Sequence, residues 1–188
     1  TMQIPQAGVE GDFTAITDGT DRFRIETDFG EFGNSVTTLD GSEAWIVSSY
    51  GPPDQLHGQM LEQMKQGHPL AYSADWWEFF DEIAIVRATT LDDAAVYEVT
   101  MRRADLPRVT AYVDAASGDI VRAEELTVIG GGLMIPVTTT FEDFREVAGI
   151  RIPFETTSWT EQTGSAVILI DQIEVDIVAE DDWFQHTE

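Results

Sequence analysis

Few side chains in this sequence have the types and spacing that metal binding requires. The three histidines, His57, His68 and His186, lie apart and show no ligand spacing. A metal site needs a third well-placed ligand, and among 35 acidic residues a carboxylate near a histidine is expected by chance. The acidic pairs 92–93 and 181–182 lack the alternating order of a calcium loop, although either leaves room for a loosely held calcium ion. We therefore predict no metal site.

Catalytic signatures are also absent from the sequence. There is no G-x-S-x-G motif, and the lack of cysteine excludes a thiolate nucleophile and disulfides. The glycine run 130–132 is followed by neither a helix nor a lysine, as a phosphate-binding loop would be. We predict a non-catalytic protein without a cofactor.

The most suggestive side chains are apolar and fall in one stretch. Leu56, Met60, Leu61 and Met64 recur at helical spacing, and a cluster of aromatic residues follows within 76–80. Methionine adapts to ligands of variable shape and tryptophan offers a large rigid apolar surface, so this stretch can form a cavity wall. The alternative is a helix that packs as plain core. Two adjacent tryptophans cannot both point inward from a regular helix, so one marks a rim or an interaction site.

The charge balance restricts the partners. Ten basic residues face 35 acidic ones, which gives a net charge of −25, and only Lys65 is a lysine. This acidity disfavours nucleic acid and anionic membranes. Its even spread is typical of a surface adapted to high salt, where screening weakens self-repulsion; an ordinary acidic protein is the alternative. The basic cluster of Arg102, Arg103 and Arg108 predicts local salt bridges or a docking point for an anionic head group.

Alternating strands joined by tight turns must position these groups. Runs of period-two alternation are separated by Asp-Gly, Ser-Gly-Asp and Ala-Gly turns, which supply the positive φ angles of hairpins. Asp54 as N-cap and the spacing after it predict a helix over 54–66, and Ser73 caps a short helical segment over 73–80. The predicted strands are 12–17, 22–28, 34–39, 43–48, 84–90, 95–102, 108–114, 120–129, 134–147, 150–159 and 166–177.

These elements predict a mostly β (α+β) chain, with about eleven antiparallel strands in a single domain, 1–188, and a helical insertion at about 54–81. The apolar runs are too short to span a bilayer, which needs about 20 residues. The N-terminus has no basic segment followed by an apolar one, so we recognise no signal segment there.

Four stretches of the chain carry a family resemblance. They are DGSEAWIVSS, LHGQMLEQM, YVDAASGDIVRAEE and FEDFREVAGIRIPFETTSW. Turn and packing residues dominate them, such as Gly41 and Trp45 in the first and Gly149, Pro153 and Phe154 in the last. In this order they resemble bacterial outer-membrane lipoprotein-sorting-like proteins, the relatives of the periplasmic lipoprotein carrier and its outer-membrane receptor. The resemblance implies an unclosed antiparallel β-barrel whose concave face is covered by helices, around a cavity that accommodates acyl chains.

We therefore predict a non-catalytic carrier or sensor, periplasmic or exported, that holds an apolar ligand (an acyl chain, lipid or lipoprotein) between curved sheet and helices. The alternative is a protein-interaction module with a filled core, which binds a partner through an edge strand or an exposed aromatic patch. We expect no nucleic acid partner and no membrane-spanning segment. The residues predicted to line the ligand cavity are Trp45, Leu56, Met60, Met64, Trp76, Trp77, Phe79, Phe80, Tyr112 and Phe154.

Overall fold

One antiparallel sheet contains every strand that the structure describes. The structure is a computed structural model, and it describes residues 1–73, 75–129 and 132–185. Over these residues the sheet has 13 strands. They are β1 Met2–Ile4, β2 Val9–Asp18, β3 Arg22–Asp28, β4 Asn34–Asp40, β5 Glu43–Ser48, β6 Gly51–Gln55, β7 Glu82–Leu91, β8 Ala94–Arg102, β9 Val109–Asp114, β10 Ile120–Ile129, β11 Leu133–Val147, β12 Ile150–Thr160 and β13 Gly164–Leu169. The α-helix α1 (Gln59–Gln66) lies between β6 and β7, and short 3₁₀ turns occur at Pro5–Ala7, Gly30–Phe32, Trp76–Phe79 and Asp181–Phe184.

The strand order leaves the barrel unclosed. From edge to edge it runs β6-β5-β4-β3-β2-β1-β13-β12-β11-β10-β9-β8-β7, so that β1 joins the two halves by pairing with both β2 and β13. The edges are β6 and β7, which are consecutive along the chain. The connection between them, residues 56–81, therefore runs from one edge to the other, and we call it the cover. The predicted half-barrel with a helical cover is confirmed.

Two-residue turns set the register of the hairpins. Ala148 and Gly149 join β11 to β12 with φ of 52° and 83°, as a type I′ turn requires. Asp92 and Asp93 join β7 to β8 in the same way, with φ of 48° and 68°, and aspartate tolerates this left-handed region better than most residues. The acidic pair 92–93, considered above as a place for calcium, is thus a hairpin turn.

Alternation along the strands gives the sheet a concave face under the cover and an outer face. In the N-terminal half, Phe23, Leu39 and Ala44 are aligned across β3, β4 and β5 and are buried beneath α1. In the C-terminal half, the residues that face the cover come from β8 to β11. Those that are buried are Val99, Met101, Val109, Ala111, Val113, Ile120, Ala123 and Phe141.

The outer face is covered in one region by the C-terminal 3₁₀ turn. Phe184 is buried there, with the Arg22 guanidinium 4.5 Å from the centre of its ring. Arg24 donates a hydrogen bond from Nη1 to the Trp183 carbonyl, at 3.2 Å. These contacts fasten the end of the described chain to β3 on the side away from the cover.

The predicted helix 54–66 is wrong at its start. Residues Gly51–Gln55 form the edge strand β6, in which Asp54 pairs with Ile46 of β5 and does not cap a helix. Pro52 and Pro53 fit an edge strand because it does not require every N–H in a ladder. Pairing with β5 therefore extends the sheet, and α1 begins only at Gln59.

The other differences have similar causes. Asp75, rather than Ser73, precedes the short helical segment, which is one 3₁₀ turn over Trp76–Phe79. The two strands that the sequence did not predict are β1 and β6. The last predicted strand, 166–177, ends at Leu169, where its ladder with β12 ends at the pair with Glu155. Most of the predicted glycine turn at 130–132 lies outside the described residues, as does His186.

Candidate ligand-binding site

The first half of the cover lays an apolar helix on the N-terminal half of the concave face. Met60, Leu61 and Met64 of α1 pack against a buried cluster of Phe23, Leu39, Ala44 and Leu56. The spacing of these three residues places them on one face of the helix. The predicted lining residues Leu56, Met60 and Met64 are thus brought together.

The second half of the cover lies on the C-terminal half of the concave face. Phe79 and Phe80 are buried there, and Trp76 packs against the same cluster. Trp77 turns away: its side chain is 53% exposed, and its ring meets that of Trp76 edge-on with centroids 5.9 Å apart. The structure therefore separates the two adjacent tryptophans into one packed and one exposed residue, as the sequence predicted.

His68 lies where the two halves of the cover meet. It is 2% exposed, and its ring lies 5.3 Å from that of Phe23 and 5.0 Å from that of Phe79. Its Nδ1 accepts a hydrogen bond from the Leu70 N–H, at 3.1 Å. Burial lowers the pKa of His68 to about 4, and a hydrogen bond with the backbone of Arg22 opposes this shift. The ring is therefore neutral at pH 7 and acts as an aromatic spacer.

Three side-chain contacts tie the interior of the cover, between its ends at Leu56 and Asp81, to the sheet and to the loop after β8. The Gln63 side chain donates to the Val128 carbonyl at 3.2 Å and accepts from the Val128 N–H at 2.5 Å. Arg103, in the loop after β8, donates to the Phe79 carbonyl at 3.0 Å and lies 3.5 Å from the Glu62 carboxylate. The third contact is made by Glu125.

Glu125 lies on the concave face of β10, opposite cover residues. Its carboxylate accepts hydrogen bonds from Gln66 Nε2 at 2.8 Å and from the Tyr72 hydroxyl at 3.5 Å. Burial raises the pKa of Glu125, and these two hydrogen bonds act in the opposite direction. Burial and the neighbouring carboxylate together raise the pKa of Tyr72. Sequence reasoning missed this group, although a glutamate two residues after Ala123 in an alternating strand is a signal that could have revealed it.

The protein's own side chains occupy the space between the cover and the sheet. Two open clefts lie elsewhere on the described surface. One, of about 370 Å³, is beside β7 and β8 and is lined by the Arg102–Glu82 ion pair and the exposed Arg108, among others. The other, of about 390 Å³, lies near the start of β2 and the end of β3. The open cavity that the resemblance implies is therefore wrong for the described residues in this state, because side chains of the cover fill it. An apolar ligand under the cover requires the cover to move.

Three other predicted lining residues lie away from the two clusters. Trp45 shares a face of the sheet with Thr38 and Arg24, its neighbours across β4 and β3, which is the outer face. Tyr112 is likewise on the outer face, where the Arg122 guanidinium lies 5.9 Å from its ring centre. Phe154 is buried beneath the guanidinium of Arg145, at 4.2 Å. Trp45 and Tyr112 thus do not line the space under the cover.

The predicted basic cluster divides among three environments. Arg102 pairs across the ladder with Glu82, at 2.5 Å, and Arg103 is one of the ties to the cover. Arg108 is exposed at the first cleft. Within residues 1–73, 75–129 and 132–185, no group of three or more histidine or acidic side chains is placed to hold a metal ion.

Solved structures share this fold. A LolA superfamily protein from Nitrosomonas europaea superposes with a TM-score of 0.57 at 14% identity, over 96% of this chain and 86% of that one. A putative outer membrane lipoprotein-sorting protein domain from Vibrio parahaemolyticus gives 0.60 at 11% identity, over 92% and 80%. A DUF1329 family protein from Desulfovibrio piger gives 0.60 at 11% identity, over 94% and 82%. The likeness to lipoprotein-sorting proteins that the motifs predicted is therefore confirmed at the level of the fold.

No family model and no curated protein matches the sequence. Among the described residues, no helix has the length and apolar character needed to cross a bilayer.

Proposed function

We propose that this protein binds one apolar chain, such as an acyl chain of a lipid or lipoprotein, between the concave face of its sheet and the cover. The observation that carries the proposal is the construction of the cover, which runs between the two edges of the half-barrel and lays apolar side chains on the concave face of both halves. Burial of methylenes stabilises such a complex by about 0.8 kcal/mol each. No covalent step is needed.

The bound chain would take the place of side chains that the cover itself inserts. Met64, Phe79 and Phe80 occupy the concave face in this structure, so binding requires them to be displaced. Each displaced side chain gives up about 1.5–3 kcal/mol of burial, whereas a chain of about twelve methylenes gains roughly 10 kcal/mol. The exchange of burial is favourable if two such side chains are displaced, and the lost translational and rotational freedom of the ligand, about 4 kcal/mol or more, then takes up much of the gain.

The cover also buries polar atoms at a cost. Among the described residues of the cover, Gln66 Oε1 and Ser73 Oγ are buried without a hydrogen-bond partner. Each such atom costs about 1–3 kcal/mol, and water would satisfy it once the cover lifts. The free energy needed to open the cover is lowered accordingly, which supports a movable cover over a permanently packed one.

The cellular location that we propose is the periplasm or the outside of the cell. It is supported by the fold shared with the protein described as a lipoprotein-sorting domain. A net charge of −25 also disfavours the nucleic acids of the cytoplasm as partners.

The direct test is binding of the lipophilic dye 1-N-phenylnaphthylamine and its displacement by dodecanol. We expect saturable dye fluorescence at one dye per chain, full displacement by dodecanol, and a rise in melting temperature with dodecanol, because a ligand that binds only the folded state stabilises it. Butanol at the same concentration is the matched control and should do none of these. Absence of dye binding and of a dodecanol shift, together with no lipid in an organic extract of the purified protein, would rule out the carrier.

A second candidate function is strand addition by a partner protein. Strand β7 is a ten-residue edge strand, and Ile85 on it is 69% exposed. An edge of this kind pairs readily with an extended segment of another chain. If the dye and dodecanol fail to bind, the filled space under the cover favours strand addition over the carrier function.

A further inference from the structure

A carboxyl group lies at the floor of the proposed binding site. Glu125 is directed to the same face as Ala123, a core residue two positions earlier in β10. Its partner across the ladder is Val137 of β11. A carboxylate on an apolar face is costly to bury unless its charge and its acceptor sites are matched.

The cover supplies this carboxylate with neutral donors alone. Gln66 Nε2 and the Tyr72 hydroxyl donate to it, and within the described chain no arginine, lysine or histidine forms an ion pair with it. Two donors leave acceptor sites on the carboxylate free, since an ionised carboxylate accepts about four hydrogen bonds. The carboxyl group at the floor of the site thus has hydrogen-bond donors but no cationic partner among the described residues.

A second acceptor without a partner lies beside it. Gln66 is buried, and its Oε1 has no donor among the described residues. Because Oε1 and Nε2 belong to one amide, and Nε2 contacts Glu125, the orphan oxygen is close to the carboxylate. The walls are aromatic: the Tyr72 ring lies 5.0 Å from Phe141 and 6.3 Å from Phe80. Two acceptors inside an apolar site match a compact group with several N–H donors.

We infer that Glu125 and Gln66 anchor the head group of the ligand, and that this ligand is an apolar chain ending in a primary amine. The inference rests on the proposed function, because the chain itself lies between cover and sheet. An ammonium group carries three donors and one positive charge, so it can satisfy Gln66 Oε1 and neutralise Glu125 together. When no ligand is bound and the cover is closed, the Tyr72 hydroxyl and the Gln66 amide N–H donate hydrogen bonds to Glu125 in place of the ammonium group.

The test compares three ligands with the same chain and different head groups: dodecylamine, dodecanol and dodecanoate. Each ligand is titrated against bound 1-N-phenylnaphthylamine at pH 7, at concentrations below its solubility limit or, for the two ionic ligands, its micelle concentration. In 1 M NaCl the Debye length is about 3 Å, so the field of the whole protein contributes little. We expect the amine to bind roughly tenfold more tightly than the alcohol, the size of effect that a charge-assisted hydrogen bond gives, and the carboxylate to bind most weakly.

Glu125→Gln should remove the preference for the amine over the alcohol, and this ratio of affinities is the readout because any loosening of the cover changes the binding of both ligands alike. Glu124→Gln is the matched control, because Glu124 is the preceding residue, lies on the outer face and pairs with Arg122 at 2.8 Å. If Glu125→Gln does not fold, Gln66→Leu removes the other acceptor and should reduce the same preference.

The outcomes distinguish failure of the head-group anchor at Glu125 and Gln66 from failure of the whole binding site under the cover. Equal affinities for the three ligands, a preference that survives Glu125→Gln, or a preference that Glu124→Gln also abolishes would overturn the anchor while leaving the carrier standing. Failure of all three ligands to bind would overturn the carrier and the anchor with it.

Discussion

The Gln63 side chain binds both backbone groups of Val128, so that one amide of α1 behaves like an additional residue paired with β10. Val128 lies near the end of β10. Without Gln63, the N–H and C=O of Val128 would lack these two hydrogen bonds. The contact fixes the helix in register with the sheet. Opening of the cover at α1 therefore requires these two hydrogen bonds to break.

Replacing Gln63 by alanine should loosen the cover. The variant leaves the Val128 N–H and C=O without this partner, and we expect the free energy of unfolding to fall by about 1–3 kcal/mol, with faster uptake of 1-N-phenylnaphthylamine in stopped flow. Gln59→Ala is the matched control, since Gln59 is an exposed glutamine in the first turn of the same helix. Equal uptake rates in the two variants would show that this contact does not restrain the cover.

His68 should make stability depend on pH in the acidic range. Its pKa is about 4 in the folded protein against 6.5 for the free side chain, so between these values the unfolded chain binds the extra proton. The contribution is fully present above pH 6.5 and falls by at most about 3 kcal/mol as the pH decreases to 4.

Urea unfolding of the wild type and His68→Asn at several pH values measures this contribution. The difference in unfolding free energy between them should shrink as the pH falls from 6.5 to 4. His57→Asn is the control, because His57 is exposed. A difference that stays constant across this range would contradict the assignment of a buried neutral ring.

Salt should stabilise the protein strongly. Self-repulsion within a chain of net charge −25 acts over a Debye length of about 10 Å at 0.1 M but only about 3 Å at 1 M, so we expect the melting temperature to rise with NaCl. Near the isoelectric point of about 4.1 the effect should be much smaller. A melting temperature that does not change between 0.1 and 1 M NaCl at pH 7 would contradict a salt-adapted surface.

The strands were predictable because their alternation and turns are local features. The pattern of 22–28 and 43–48 gave β3 and β5 their observed bounds. The start of α1 was not predictable in this way, because the pairing of Asp54 with Ile46 depends on the neighbouring strand.

The site was predictable only in part. Helical spacing identified Met60 and Met64, which do pack on the concave face. Alternation predicts that Trp45 and Ala44 lie on opposite faces of the sheet, but it does not indicate which face is covered. The prediction that Trp45 lines the cavity is therefore wrong, because Trp45 lies on the outer face. The contact of Glu125 with Gln66 joins residues far apart in sequence, and only the route of the cover across the sheet reveals it.

The location of a bound chain tests the central claim most directly. A fatty alcohol of about twelve carbons that carries a diazirine in its chain would be bound, irradiated and mapped by peptide mass spectrometry. We predict labels under the cover, in peptides that contain Met64, Phe80, Met101 or Phe141, with suppression by excess dodecanol. Labels confined to the β7 edge or to Trp77, or labels that excess dodecanol does not suppress, would contradict the account.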